Sequence, residues 1–243
     1  ILNNGSTFTR FGTNCNKYKL NNLNKMEELE LKLKEQIIEA LNLEDITPEE
    51  EVIEDAISAS QLAASLPFVD AQKVFIAGHS LGGLLAPLIA TRCPSVKGLI
   101  LLAAPSRPQD DILKEQLHYL ASLNGDTDEQ LLMQQYQQIK ASAPEAYWDY
   151  LDKYAPVMTA HSLTIPMLFL QGERDYQVTM QDFAMWKLGM FGKPNVTFRS
   201  YPSLNHCFME GTGKSTPMEY NHPGRVSEKV IKDIAEWAIH RNE

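Results

Sequence analysis

Three residues of this sequence carry side chains that together could perform acyl transfer: Ser80, Asp175 and His206. A serine hydroxyl is a weak nucleophile until a base removes its proton, and the base needs an acid that holds it in the right orientation. We therefore predict Ser80 as nucleophile, His206 as general base and Asp175 as orienting acid. The order serine, acid, histidine along the chain is one of the known orders of this constellation.

The surroundings of Ser80 support the prediction of a nucleophile. Gly78 and Gly82 flank it in the pattern Gly-x-Ser-x-Gly, after an apolar run and before an apolar helical segment. This is the context of a nucleophile elbow, a sharp turn between strand and helix. We expect strained backbone at Ser80, and we expect a side chain at either glycine to crowd the turn. The N–H of Leu81, the next residue, is predicted to donate to the oxyanion.

The acid and the base are expected after later strands, because catalytic groups lie at the carboxyl ends of parallel strands. Asp175 follows a buried strand predicted at 167–171. His206 follows an alternating strand predicted at 195–201. All three residues are thus expected at one edge of one sheet.

Four other residues near the predicted triad are interpreted differently from its members. Glu173 is a weaker alternative for the acid, because it lies nearer the strand, and His222 is a weaker alternative for the base. His79 is expected to point away from Ser80 and to serve in packing. Cys207 is interpreted as a small, partly buried side chain, with a reactive thiol as the alternative.

Apolar segments alternate with helical patterns from the helix that begins at Thr47 onwards, which predicts an α/β fold with a mostly parallel sheet flanked by helices. The run 98–104 is apolar throughout and is typical of a central strand. Residues 108–160 break the rhythm and are predicted as two or three helices, at 109–123, 128–141 and 144–153. We interpret 108–160 as a lid over the site, with a helical hairpin packed on the edge as the alternative.

The sequence before the elbow is mainly helical in pattern. It contains a weak strand at 6–11, a helix from Lys25, and a second helix with a capping box at Thr47. The buried face of the second helix is predicted to contain Val52, Ala56, Ala59 and Ala63.

About four strands usually precede an elbow of this kind, so early strands are expected to be missing and the chain to be truncated at its N-terminus. No loop suited to a second oxyanion donor stands out, and Asn3-Asn4-Gly5 is the only remotely suitable segment. An exposed sheet edge is then expected, which could pair with a second copy of the chain.

Composition excludes several classes of function. The 243 residues suffice for a single domain spanning 1–243. The net charge of −9 and a pI near 5.2 argue against nucleic-acid partners and against anionic membrane surfaces. No apolar stretch could span a bilayer and no signal peptide is recognisable, so a cytoplasmic location is expected. Neither zinc-ligand spacing nor a phosphate-loop lysine occurs, so no metal or cofactor is expected.

Several motifs occur together in order: GHSLGGLLAP, LILLAAPSRP, IPMLFLQGERDYQV, and YPSLNHCFMEG followed by TPMEYN. From about Ile46 to the C-terminus the chain resembles bacterial carboxylesterases of the α/β-hydrolase fold. Their relatives include dienelactone hydrolases, cinnamoyl esterases and enzymes labelled acyl-CoA thioesterases. The resemblance implies the α/β-hydrolase fold, a lid at 108–160, and Ser80, Asp175 and His206 as a triad.

The implied activity is hydrolysis of small carboxylic esters through an acyl-serine intermediate. Three alternatives remain open: an acyl-CoA thioesterase, a peptidase using the same triad, and a catalytically impaired hydrolase fragment without a complete oxyanion hole.

Overall fold

A computed structural model describes residues 52–123, 125 and 128–240. Several predictions therefore lie outside the described residues. These are the strand at 6–11, the helix from Lys25, the capping box at Thr47 and the segment Asn3-Asn4-Gly5. The prediction of a single domain over 1–243 and the prediction of missing early strands also stay untested.

The apolar runs form four strands of one parallel sheet: β1 (Phe75–His79), β2 (Gly98–Leu102), β3 (Met167–Gly172) and β4 (Val196–Tyr201). Their order in space is the order in the chain, β1-β2-β3-β4, and every pairing is parallel. The predicted parallel α/β arrangement is confirmed. Because all strands run the same way, their carboxyl ends share one edge, where ligands bind in such sheets.

Helices connect and cover the strands. They are α1 (Glu54–Ser65), α2 (Leu81–Arg92), α3 (Gln109–Leu123), α4 (Glu129–Lys140), α5 (Glu145–Lys153), α6 (Pro156–Ser162), α7 (Met180–Gly189) and α8 (Glu228–His240), with a 3₁₀ helix at Pro217–Asn221. None of the described helices has the length and apolar character needed to cross a membrane.

Both faces of the central strands β2 and β3 are buried, whereas β1 and β4 are only partly buried. Successive residues of a strand point to opposite sides, so each central strand contributes to two cores. On one face Leu99, Leu101 and Phe169 belong to a core with α2 and α7. On the other face Ile100 and Leu168 belong to a core with α8. The sheet is thus a rigid layer between helices, and the loops at its edge carry the candidate site.

The predicted buried face of α1 is wrong in part, since Ala56 packs against the core but Val52 and Ala59 are exposed. Ile53, Ile57 and Ser60 are buried, whereas Val52 is 39% exposed and Ala59 is exposed. Burying two isoleucines removes much more apolar area from water than burying alanines does. The larger side chains therefore determine which side of the helix faces the core.

Helices α3 to α6 form the insertion between β2 and β3. The three predicted helices are confirmed, and α6 is a fourth that was not predicted. Asp110 on α3 accepts hydrogen bonds from Lys140 Nζ (2.7 Å) and from Tyr136 Oη (2.8 Å) on α4. Trp148 Nε1 on α5 donates to the carbonyl of Lys140 over 2.9 Å. The insertion is held together by its own contacts.

Within the described residues, β1 pairs with β2 alone, so its other side is an edge. The expected pairing of such an edge with a second copy stays a prediction. Light scattering on the purified chain tests it, because a homodimer doubles the molar mass.

The glycines of the elbow differ in what they permit. A Cβ at Gly78 would lie 2.2 Å from the carbonyl oxygen of Gly82, so the predicted crowding at Gly78 is confirmed. The same prediction for Gly82 is wrong, since no other described residue lies within 4 Å of a Cβ there, apart from the backbone of its own helix. Gly83 is the second restricted position, with 2.7 Å to the Cβ of Ala104. Close packing of α2 against the end of β2 requires it.

A matched pair of variants tests this difference. Gly78→Ala is expected to lower the free energy of unfolding by about 1–3 kcal/mol, because the obstructing atoms are backbone and cannot rotate away. Gly82→Ala is expected to change it by about 0.5 kcal/mol or less. Urea denaturation measures both, and equal losses would contradict the assignment.

Candidate active site

Ser80 lies at the tip of the turn between β1 and α2. Its backbone dihedral angles are φ 53° and ψ −119°, so the predicted strain is confirmed. The N–H of Ser80 donates to the carbonyl of Leu102 (2.9 Å), and its carbonyl accepts from the N–H of Leu84 (3.0 Å). Bonds to β2 and to α2 thus hold the half-buried serine at the sheet edge.

Asp175 follows β3 and is 2% exposed. Its Oδ1 accepts from the backbone N–H groups of Gln177 (2.7 Å) and Val178 (3.1 Å), which makes an Asx turn. Its Oδ2 lies 2.7 Å from His206 Nδ1 and 3.3 Å from Gln171 Nε2. Both oxygens have partners, so the orientation of the carboxylate is fixed.

His206 follows β4 and is 5% exposed. Because Nδ1 faces a carboxylate, we assign the proton of the neutral ring to Nδ1. Nε2 then has a free lone pair and can accept a proton. The structure thus brings the predicted acid and base into direct contact, and the assigned tautomer is the one that a general base needs.

Gln171 is a site residue that sequence analysis missed. It is 1% exposed at the end of β3. Besides Asp175, its Nε2 donates to the carbonyls of Val178 (2.9 Å) and Gly172 (3.1 Å). These bonds fix the turn that carries the acid. The available signal was a polar residue within the apolar run of a buried strand, since buried polar groups are nearly always hydrogen-bonded.

His79 has a contact that the packing interpretation did not include. Its Nε2 lies 2.9 Å from the carbonyl oxygen of His206, and the two imidazole centroids are 4.6 Å apart. Desolvation lowers the pKa of His79 below its ordinary value, so the ring is neutral at pH 7 and donates from Nε2. This bond ties the residue before Ser80 to the loop of the predicted base.

The lowered pKa of His79 predicts how stability depends on pH. The unfolded chain takes up the proton near pH 6.5, whereas the folded chain takes it up only at lower pH. Stability is therefore expected to fall as the pH drops below about 6.5. His79→Gln keeps an N–H donor and should weaken this dependence in urea titrations. The exposed control His240→Gln should leave it as in the wild type, and identical curves for all three proteins would contradict the assignment.

The weaker alternatives lie elsewhere. Glu173 is exposed and accepts a hydrogen bond from Ser200 Oγ at 2.7 Å. His222 is exposed, beyond the 3₁₀ helix. Desolvation, followed by the charge of Asp175, raises the pKa of the Cys207 thiol. The thiol is thus protonated at neutral pH, which favours its interpretation as a filler over a reactive group.

The insertion contacts the loops of the site through α3. Gln116 Nε2 donates to the carbonyl of Gln177 over 2.8 Å, and Tyr119 Oη donates to the carbonyl of Ser215 over 2.9 Å. The rings of Tyr119 and Tyr176 are 5.2 Å apart. The first helix of the insertion thus packs beside the turn that carries the acid. A lid function for residues 108–160 stays a prediction.

Leu81 is the first residue of α2. The first N–H groups of an α-helix have no acceptor within the helix, so they are available to an anion. The prediction that Leu81 donates to an oxyanion is compatible with this position and stays a prediction.

Comparison with known proteins identifies the family. The sequence pattern of the prolyl oligopeptidase family matches residues 47–222. The chain belongs to the prolyl oligopeptidase family. It is also 36% identical over 216 residues to Esterase EstD of Thermotoga maritima. This match covers 85% of this chain and 52% of EstD. The chain thus spans about half the length of this relative.

Solved structures agree with the family assignment at the level of the fold. Est1E from Butyrivibrio proteoclasticus has a TM-score of 0.50 at 17% identity. The match covers 77% of this chain and 69% of the Est1E chain. The esterase Pf2001 of Pyrococcus furiosus has a TM-score of 0.50 at 14% identity, with 77% and 61% covered. The predicted α/β-hydrolase fold is confirmed.

Proposed function

We propose that this chain hydrolyses carboxylic esters through an acyl-serine intermediate. The observation that carries the proposal is the buried Asp175–His206 pair, with 2.7 Å between Oδ2 and Nδ1, at the sheet edge where the strained Ser80 lies. The relationship to Esterase EstD favours an ester as the substrate.

In the first half-reaction, Ser80 Oγ attacks the ester carbonyl carbon while His206 Nε2 takes the hydroxyl proton. Asp175 stabilises the imidazolium that forms, and the N–H of Leu81 donates to the oxyanion. The tetrahedral intermediate then collapses. The bond to the alcohol oxygen breaks, His206 gives its proton to that oxygen, and the acyl group stays on Ser80.

In the second half-reaction, water replaces the alcohol. His206 takes a proton from the water, whose oxygen attacks the acyl carbon. The second tetrahedral intermediate expels Ser80, which regains its proton from His206. The products are the carboxylic acid and free enzyme, so the protons balance over the cycle and each residue returns to its starting state.

Peptide hydrolysis is a second candidate, because the matching family is named after an oligopeptidase. Fold and triad do not determine the leaving group. A substrate panel separates the candidates: p-nitrophenyl esters of different chain length, aryl esters, acyl-CoA thioesters and peptide anilides. We expect the highest kcat/KM with an ester. A peptide anilide or a thioester in first place would replace the ester in this proposal.

A fluorophosphonate probe tests the nucleophile directly, because it phosphonylates only an activated serine. We expect one adduct, located on Ser80 by peptide mass spectrometry, and loss of ester hydrolysis in step with labelling. Heat-denatured protein is the control and should not react. A folded sample that stays unlabelled while a known serine hydrolase reacts would refute the proposal.

A further inference from the structure

A buried arginine joins three loops beside the candidate site. Arg174 is 5% exposed and directly precedes Asp175. Its guanidinium donates to the carbonyls of Gly213 (2.6 Å), Thr212 (3.1 Å) and Ser203 (3.4 Å). Its Nη2 also forms an ion pair with the carboxylate of Glu219. The loop after β3 is thus tied to the two segments that follow β4.

A buried asparagine holds the loop of the predicted base. Asn205 is fully buried and directly precedes His206. Its Oδ1 accepts from the backbone N–H groups of Cys207 (3.1 Å) and Met209 (3.0 Å). Its Nδ2 donates to Glu219 Oε2 over 3.0 Å. The turn around His206 depends on the orientation of this one amide.

Glu219 is the link between the two loops. One oxygen accepts from Arg174, the residue before the predicted acid, and the other accepts from Asn205, the residue before the predicted base. Glu219 lies in the 3₁₀ helix Pro217–Asn221, and its side chain is 28% exposed. Glu219 belongs to the segment TPMEYN, which resembles known hydrolases in sequence. That resemblance implied no role for Glu219.

We propose that Glu219 is a positioning residue that sets the alignment of Asp175 with His206. The inference rests on the proposed function. The Asp175–His206 hydrogen bond joins loops from two different strands, and Glu219 holds the adjacent residue of each loop. Without the carboxylate, the Asn205 amide loses an acceptor and the buried guanidinium loses its counter-ion. The two loops can then shift relative to each other, and a displacement of about 1 Å can lower a rate about 100-fold.

Kinetics of the Glu219 variants form the first test. Glu219→Ala is expected to lower kcat for a p-nitrophenyl ester about 10- to 100-fold, with KM within about twofold of the wild type. Glu219→Gln is expected to fall between the two, because its amide oxygen still accepts from Arg174 while its NH₂ faces the NH₂ of Asn205.

The matched control removes a carboxylate from another arginine. Glu115 lies on α3 and is 36% exposed, and its carboxylate pairs with Arg107 at 2.6 Å, whereas Glu219 bonds to the residues before Asp175 and His206. Glu115→Ala is expected to lower the thermal midpoint less than Glu219→Ala does, because Arg107 keeps its ion pair with Asp182, and to leave kcat within about twofold. Equal kcat losses in both variants would make the effect one of general stability and overturn the proposal.

Proton NMR provides a readout that requires no turnover. The His206 Nδ1–H in a hydrogen bond to Asp175 has a resonance far downfield of the amide region. We expect this resonance in the wild type and in Glu115→Ala, and its shift or loss in folded Glu219→Ala and, to a lesser degree, in Glu219→Gln. An unchanged resonance and unchanged kcat in both folded Glu219 variants would refute the positioning role. If the wild type hydrolyses no substrate of the panel, the proposed function fails and the NMR comparison alone decides the positioning role.

Discussion

Replacing Ser80 with alanine is expected to lower kcat of ester hydrolysis by about 10⁵- to 10⁶-fold, because the acyl-enzyme can no longer form. KM should change little, since the hydroxyl acts in the transition state of the attack and not in the binding of the substrate. The thermal midpoint should also stay near that of the wild type, because the backbone bonds to Leu102 and Leu84 are retained. Initial rates with a p-nitrophenyl ester, followed over hours for the variant, measure the effect.

A second serine provides the control for this experiment. Ser203 is exposed and lies in the same loop as His206. Its carbonyl, which accepts from Arg174 and from the N–H of Gly211, is unchanged by substitution with alanine. Ser203→Ala is expected to keep wild-type kcat. A folded Ser80→Ala protein with more than about one hundredth of wild-type activity would show that another group attacks the ester.

Replacing Asp175 with asparagine is expected to lower kcat about 10⁴-fold. The backbone N–H groups of Gln177 and Val178 keep the amide oxygen at the Oδ1 position. The NH₂ group then faces His206 Nδ1 and the donor of Gln171. His206 is forced to accept at Nδ1 and to carry its proton on Nε2, so it can no longer take the serine proton.

The same substitution has a second measurable consequence. One hydrogen of the NH₂ group introduced by Asp175→Asn can bond to His206 Nδ1. The other faces Gln171 Nε2, a donor that already bonds to the carbonyls of Val178 and Gly172, in a place where Asp175 is 2% exposed. An unsatisfied buried group of this kind costs about 1–3 kcal/mol, which should appear as a lower free energy of unfolding. The fluorophosphonate reaction should slow in parallel with kcat.

Another buried carboxylate serves as the control. Asp182 is fully buried on α7 and accepts from Ser106 and Arg107. Asp182→Asn is expected to destabilise the fold, because the half-buried Arg107 loses part of its ion pair, yet to leave kcat of the folded protein within about threefold. If Asp182→Asn lowers kcat as much as Asp175→Asn does, the orienting role of Asp175 is wrong.

The sequence predicted the parallel sheet and the strand ends at which the three candidate residues lie. Apolar runs that end in loops identify the strands, and in a parallel sheet the ends of all strands share an edge. The positions of Ser80, Asp175 and His206 after β1, β3 and β4 follow from this rule alone. The conformation at Ser80 follows from the local need for a sharp turn between glycines.

Contacts between distant segments could not be predicted in the same way. The role of Gly83 depends on Ala104, and the orientation of Asp175 depends on Gln171 across the turn. Periodicity indicates which face of an element is apolar, but it does not indicate which residue of another element lies opposite. For the same reason the hydrogen bond from His79 to the carbonyl of His206 was missed.

The insertion between β2 and β3 has a consequence for how the fold can vary. These strands are neighbours in the sheet although α3 to α6 separate them in the chain. The entropy lost on closing a loop grows with the logarithm of its length, so a doubling costs only about 0.6 kcal/mol. Helices can therefore be added to this connection at little cost in loop entropy, whereas α5 and α6 must stay, because Leu151 and Ala160 belong to the core on one face of the sheet. The surface beside the candidate site can thus vary while the sheet and the order serine, acid, histidine stay the same.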